Sequence, residues 1–236
     1  TFEDEGAPEP ESAADPAEPV ESTVPEDEGA PEPDWTPSER ESVRYAGGSG
    51  RNTMWSDRYK KARLFLFGGT DTEQDFKQAF ALFQQEAESG NPLAMHDLGR
   101  MYADGLGREI DNAAAQEWYA KALAAFQSAE RTVKEKQRPY LQYRIGKMYA
   151  AGLGTEQDYG ETALWFGKAV VANHRYAQYS LAGLYYRGQG VEQSYEQAFQ
   201  LYGCSAAQKN PYASYELAKM YRDGIGTEKN MEAADK

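Results

Sequence analysis

The chain has a single cysteine, Cys204, in 236 residues. No disulfide can close within it, and one thiol does not assign a redox compartment. Histidine is nearly as scarce. His96 and His174 form no His-x-x-x-His pair and have no cysteine pair to join, so no metal-ligand spacing is present. No cofactor is expected. No stretch of eighteen apolar residues occurs, which excludes a membrane-spanning helix. The opening TFEDEGAPEP is acidic where a secretory signal would be basic and then apolar, so a cytoplasmic location is expected. The chain starts without Met and stops inside a repeat, as a piece of a longer protein would.

Lys and Arg are missing from residues 1–34, which hold thirteen Asp and Glu. The remaining residues carry 25 acids (38 less 13) against 25 bases, so the net charge of −13 belongs to this segment alone. A basic footprint is the usual requirement for nucleic-acid binding, and its absence makes a nucleic-acid ligand unexpected. Residues 1–50 are rich in Pro, Glu, Ala and Gly, and EDEGAPEP occurs twice. Such a segment buries too little apolar surface to offset its ordering entropy and is expected to be a disordered, extended linker. A docking tail anchored by Trp35 is the alternative.

What the sequence does have is internal repetition. PLAMHDLGRMYADGLGREID (Pro92–Asp111) returns at Pro139, Arg175 and Pro211. The Gly pairs fall at Gly105/Gly107, Gly152/Gly154, Gly188/Gly190 and Gly224/Gly226, spaced by 47, 36 and 36 residues. A fixed period of this size marks a stacked repeat array. A shift of 36 residues also overlays Gly69 on Gly105 and Asp75 on Asp111. The array over residues 51–236 therefore holds five units, starting near Trp55, Asn91, Arg138, His174 and Asn210, the last truncated.

Each unit reads as two helices, A and B. In helix A the column Leu98, Ile145, Leu181, Leu217 is followed three residues on by Met101, Met148, Leu184, Met220, and then by Tyr102, Tyr149, Tyr185, Tyr221. That spacing is one apolar helical face. The small column Gly99, Gly146, Ala182, Ala218 lets helix B of the same unit approach closely. The Gly pairs end helix A, since glycine takes a left-handed C-cap without steric cost. No strand precedes them and no Gly-Lys-Ser/Thr follows, so they are not phosphate loops. Asp111, Asp158 and Ser194 then cap helix B. The 47-residue spacing inserts eleven residues around Gln127–Gln137, close to three helical turns, which favours a longer helix B over a charged loop.

These motifs resemble the Sel1-like repeat, a relative of the tetratricopeptide repeat, from about Trp55 to Lys236. The first unit departs most, with Ala62 in place of the helix A Leu, Arg63 in place of the small residue and Asp71 in place of the second Gly, as in a capping unit. The resemblance implies an all-α fold, a right-handed α-solenoid that binds a protein or peptide partner and is not an enzyme. The wording MHDLGRMYADGLG and YRIGKMYAAGLGTEQDY is similar also to repeat regions that follow the mobilisation relaxases of conjugative elements. That would make the chain an accessory region of a DNA-nicking enzyme.

By analogy with tetratricopeptide repeats, the inward, concave positions are His96 and Arg100 in the second unit and Tyr140, Tyr143 and Lys147 in the third. Tyr176, Tyr179 and Arg187 follow in the fourth, then Tyr212, Tyr215, Lys219 and Arg222 in the fifth. This is a tyrosine ladder flanked by Lys and Arg, side chains that interface hot spots favour. The rings either line a binding surface or pack between repeats, and both hold if a ring packs while its hydroxyl faces the groove.

Overall fold

The computed structural model describes residues 54–69 and 72–235. The linker expected over 1–50, and Asp71, lie outside them. The described residues are almost wholly helical, and their one β element is an isolated bridge between Gly69 and Thr72.

The helices run in five A/B pairs. They are α1 (Asp57–Phe67) and α2 (Phe76–Glu88), α3 (Pro92–Asp104) and α4 (Asn112–Thr132), and α5 (Arg138–Ala151) and α6 (Tyr159–Val171). Then come α7 (Arg175–Arg187) and α8 (Tyr195–Ala207), and α9 (Pro211–Asp223) and the short α10 (Met231–Ala234). Each helix packs chiefly on the helix before it and the helix after it. The core is therefore a strip of local clusters rather than one central mass.

The starts and stops follow from the repeated residues. Pro92, Pro139 and Pro211 lie in the first turn of an A helix, where a missing N–H costs nothing. Gly105, Gly152, Gly188 and Gly224 end helix A in the left-handed conformation. The expected B caps form: Asp111 accepts from Ala114 N at 2.9 Å, Asp158 from Glu161 N at 2.9 Å and Ser194 from Gln197 N at 3.2 Å. The backbone N–H of the B cap also donates to the carbonyl of the Tyr column, as in Asp111 to Tyr102 at 2.9 Å and Ser194 to Tyr185 at 3.0 Å.

In the first unit that last bond corrects the sequence register. Asp75 N donates to Phe65 O at 2.8 Å, and Gly68, not Gly69, caps α1. Phe65 thus takes the Tyr102 place, and helix A of this unit aligns 37 residues back rather than 36. Ala62, fully buried, fills the small-residue column instead of replacing Leu, and Arg63 matches Arg100. The turn after α1 is one residue longer than in the other units, which a match made on the turn glycines and Asp75 conceals.

The eleven-residue insertion is accommodated almost as a longer helix. α4 has 21 residues against 13 in α2, α6 and α8, a gain of eight. Two more residues lengthen the linker, which holds a 3₁₀ turn at Glu135–Gln137, and one extends the front of α5. α4 ends at Thr132, and the extended backbone of its C-cap Val133 breaks the helix well before Pro139.

The small column does what its composition implies. A Cβ on Gly99 would lie 2.6 Å from the Tyr119 ring, and one on Gly146 2.6 Å from the Phe166 ring. Helix B therefore lies directly against helix A at these points.

Candidate functional site

Four A helices present a ring to the B helix of their own unit at nearly one distance. Tyr59 lies 5.6 Å from Phe83, His96 5.3 Å from Tyr119, Tyr143 5.6 Å from Phe166 and Tyr179 5.7 Å from Tyr202. Tyr215 holds the same position in α9, 65 % exposed beside the short α10. The ladder thus begins at Tyr59, which the shifted register of the first unit hid from the sequence. Between units the rings step on: Tyr143 to Tyr176 at 6.1 Å and Tyr179 to Tyr212 at 6.1 Å.

Burial grades along the ladder. Tyr143 is buried, stacked on Phe166 and 4.9 Å from His174. Tyr140 is half-buried against the first core cluster, and Tyr176 and Tyr179 are half-buried as well. Tyr212 is exposed like Tyr215. Most of these rings pack between and within repeats.

Beside the rings runs a row of cations. Arg63, Arg100, Lys147 and Lys219 occupy one position of successive A helices. The fourth unit has Gly183 there, and the Arg187 guanidinium folds back over it: a Cβ on Gly183 would meet both terminal nitrogens at 3.2 Å. The row therefore passes through all five units. Arg63 lies 5.2 Å and Arg100 5.1 Å from the half-exposed Phe67 ring, one guanidinium from each unit. Arg100 Nε is buried with no hydrogen-bond partner. Arg187 donates to Gln189 Oε1 at 2.7 Å. Lys219 pairs with Glu216 at 3.1 Å, and Arg222 makes two bonds to Asp223 at 2.7 and 2.9 Å.

One carboxylate is built into the row. Asp97 is buried, accepts from the Tyr59 hydroxyl at 2.8 Å and has His96 Nδ1 3.7 Å away. Burial pushes its carboxyl up, but His96, Arg100 and Arg63 outweigh that and hold it at about 2. Burial, then the Asp97 charge, raises Tyr59 well above the ordinary phenol range, so it remains the donor. Among the described residues no group of His, Cys, Asp or Glu is arranged to hold a metal ion. Nor is any helix there long and apolar enough to cross a membrane. Cys204 is exposed on α8.

A second contact runs between units and was not legible as such. The second glycine of each pair abuts the backbone of the preceding B helix. A Cβ on Gly107 would lie 2.8 Å from the Phe76 carbonyl carbon, and one on Gly190 or Gly226 would overlap the carbonyl of Tyr159 or Tyr195. Those three residues each directly follow a B cap. Gly154 instead abuts Tyr119 and Ala120, the former eight residues past its cap Asp111.

Paired helices stacked through nearest-neighbour contacts define a helical solenoid. The chain belongs to the Sel1 repeat family, whose pattern matches residues 61–91, 92–125, 139–171, 175–210 and 211–234. A Sel1 repeat protein from Oxalobacter formigenes is 26 % identical, with a TM-score of 0.58 over 75 % of this chain and 67 % of that one. A protective antigen present in uropathogenic Escherichia coli strains, with an SLR fold, is 31 % identical over 73 % of this chain, with a TM-score of 0.54. The chain covers 34 % of that antigen's length. No curated protein matches the chain.

Proposed function

We propose that this chain is a non-catalytic scaffold that binds a partner protein or peptide on its concave helix A face. The observation that carries the reading is the continuous pairing of a tyrosine ladder with a cation row on that face. Position by position, each repeat contributes one of each, apart from His96 in the second unit and Arg187 reaching over Gly183 in the fourth. The B helices carry no such row. Two of their four cations, Lys121 and Lys168, lie over their own Trp118 and Trp165 rings, at 4.3 and 3.6 Å.

Site-specific photo-crosslinking tests this. A photoreactive phenylalanine replaces Tyr215 on the helix A face or Lys121 on the outer face, and the chain is irradiated in native lysate. Discrete adducts from position 215 and none from 121 are expected. Adducts from 121 alone, or identical adducts from both, would sink the proposal.

A further inference from the structure

The formal neutrality of the repeat region conceals an uneven distribution of charge, and the helix A face receives the excess cations. Arg63 and Arg100 come from different repeats and meet on one aromatic patch: Arg63 lies over Trp55 and Phe67, and Arg100 over the same Phe67. Neither has a carboxylate at ion-pair distance among the described residues. A guanidinium carries five N–H donors in a fixed fork, and leaving one buried without an acceptor costs stability. Arg100 Nε is such a donor. Arg187 reaches only a neutral glutamine. Of the carboxylates nearby, Asp97 accepts from Tyr59 and meets Arg63 and Arg100 only through its charge, Glu216 takes Lys219 and Asp223 takes Arg222, which leaves the exposed Asp104.

We infer that the helix A face takes an extended acidic peptide, with side-chain carboxylates received by Arg63, Arg100 and Arg187 and an apolar side chain seated on Phe67. The inference rests on the concave face being the binding face and adds the chemistry of its partner. Charge complementarity chooses the occupant: cations spaced one per repeat match acids spaced along an extended chain.

A single-stranded nucleic acid would also be anionic, but it needs free aromatic faces for its bases. Tyr143 has none to offer, stacked on Phe166 and 4.9 Å from His174, and of the ladder tyrosines only Tyr212 and Tyr215, both at one end, are exposed. Asp97 and Asp104 would stand against a continuous phosphate backbone, whereas a peptide places its charges singly.

Fluorescence anisotropy on the full chain tests this with three labelled probes: a short peptide alternating Glu and Leu, its Gln-for-Glu counterpart, and a thymidine oligonucleotide. The acidic peptide should bind, more weakly as salt rises, with the Gln peptide about tenfold weaker. The Arg63→Gln/Arg100→Gln/Arg187→Gln variant should lose at least about tenfold, and Lys121→Gln/Lys168→Gln should bind as wild type. Arg187→Gln alone, at an exposed position, should retain the fold and still weaken binding. The inference is overturned if the folded triple variant binds the acidic peptide as well as wild type does. It is overturned equally if that peptide does not bind, or if the oligonucleotide binds more tightly. Crosslinks at position 215 that persist in the triple variant would mean that the face binds protein and that only its acidic chemistry is wrong.

Discussion

The junction between the second and third repeats differs from the other three by two helical turns, yet it is closed by the same kind of contact. At the three regular junctions the second glycine abuts the residue that follows a B cap: Phe76, Tyr159 or Tyr195. At the long junction Gly154 abuts the Tyr119–Ala120 peptide, seven residues further along the B helix. Seven residues are close to two turns of 3.6, so the same face of the helix is offered again. The contact is glycine against helical backbone, and it depends on helical phase rather than on a particular side chain. An insertion that preserves phase is therefore tolerated where one of another length would turn the wrong face.

The sharpest way to break the comparison is to add one methyl group to each kind of junction. Gly190→Ala drives a Cβ into the Tyr159 carbonyl, and Gly154→Ala into the Ala120 amide, each from a left-handed backbone. Strain and overpacking together should cost about 2–6 kcal/mol in each case, read by urea denaturation. If only Gly190→Ala is costly, the long junction is not closed by this contact. Next in size is Leu181→Ala in the regular fourth repeat, a buried side chain whose loss should cost about 2–5 kcal/mol. A melting temperature within error of wild type would remove Leu181 from the core.

A smaller effect separates the A-helix caps. His174 accepts from Ala177 N at 3.2 Å, where the second and fifth units use Asn91 and Asn210 and the long linker's Gln137 makes no cap bond. Burial, then Arg175, lowers the His174 pKa from 6.5 to about 4. Below pH 6.5 the unfolded chain takes up this proton while the folded chain resists until about pH 4. Stability should fall across that window as pH drops, by up to about 3 kcal/mol. His174→Asn should keep the cap and remove this part of the slope. An unchanged slope in calorimetry would assign it elsewhere. The smallest effect belongs to the long junction, where Gln116 Oε1 accepts from Gly154 N at 2.7 Å. Gln116→Ala should cost about 1 kcal/mol, and a variant as stable as wild type would show water serving equally well.

The array itself could be read from the sequence because its rules are local. Gly99 and Gly146 announce close helix packing by being small, and Asp111 and Asp158 announce a cap three residues ahead of the amide they bind. The misses came where the deciding partner lies a whole repeat away or where spacing shifts by one. The docking role of Gly154 is set by Ala120, which its own repeat does not contain. Tyr59 and Arg63 escaped their columns because the turn after α1 is one residue longer than the others. Lys147 was legible by position, but the row's continuity at Gly183 depends on a side chain reaching back one turn from Arg187. Of the tyrosines singled out as site residues, Tyr143 lies inside the packing, whereas Tyr212 and Tyr215 lie on the surface.

Because every helix leans chiefly on its immediate neighbours, a load applied to the two ends passes through the junctions in series. Extension would then proceed coil by coil. A 36-residue unit would release a contour length of about 120 Å, at roughly 3.4 Å per residue. The 47-residue spacing would release about 160 Å, a single long step that marks the inserted turns mechanically.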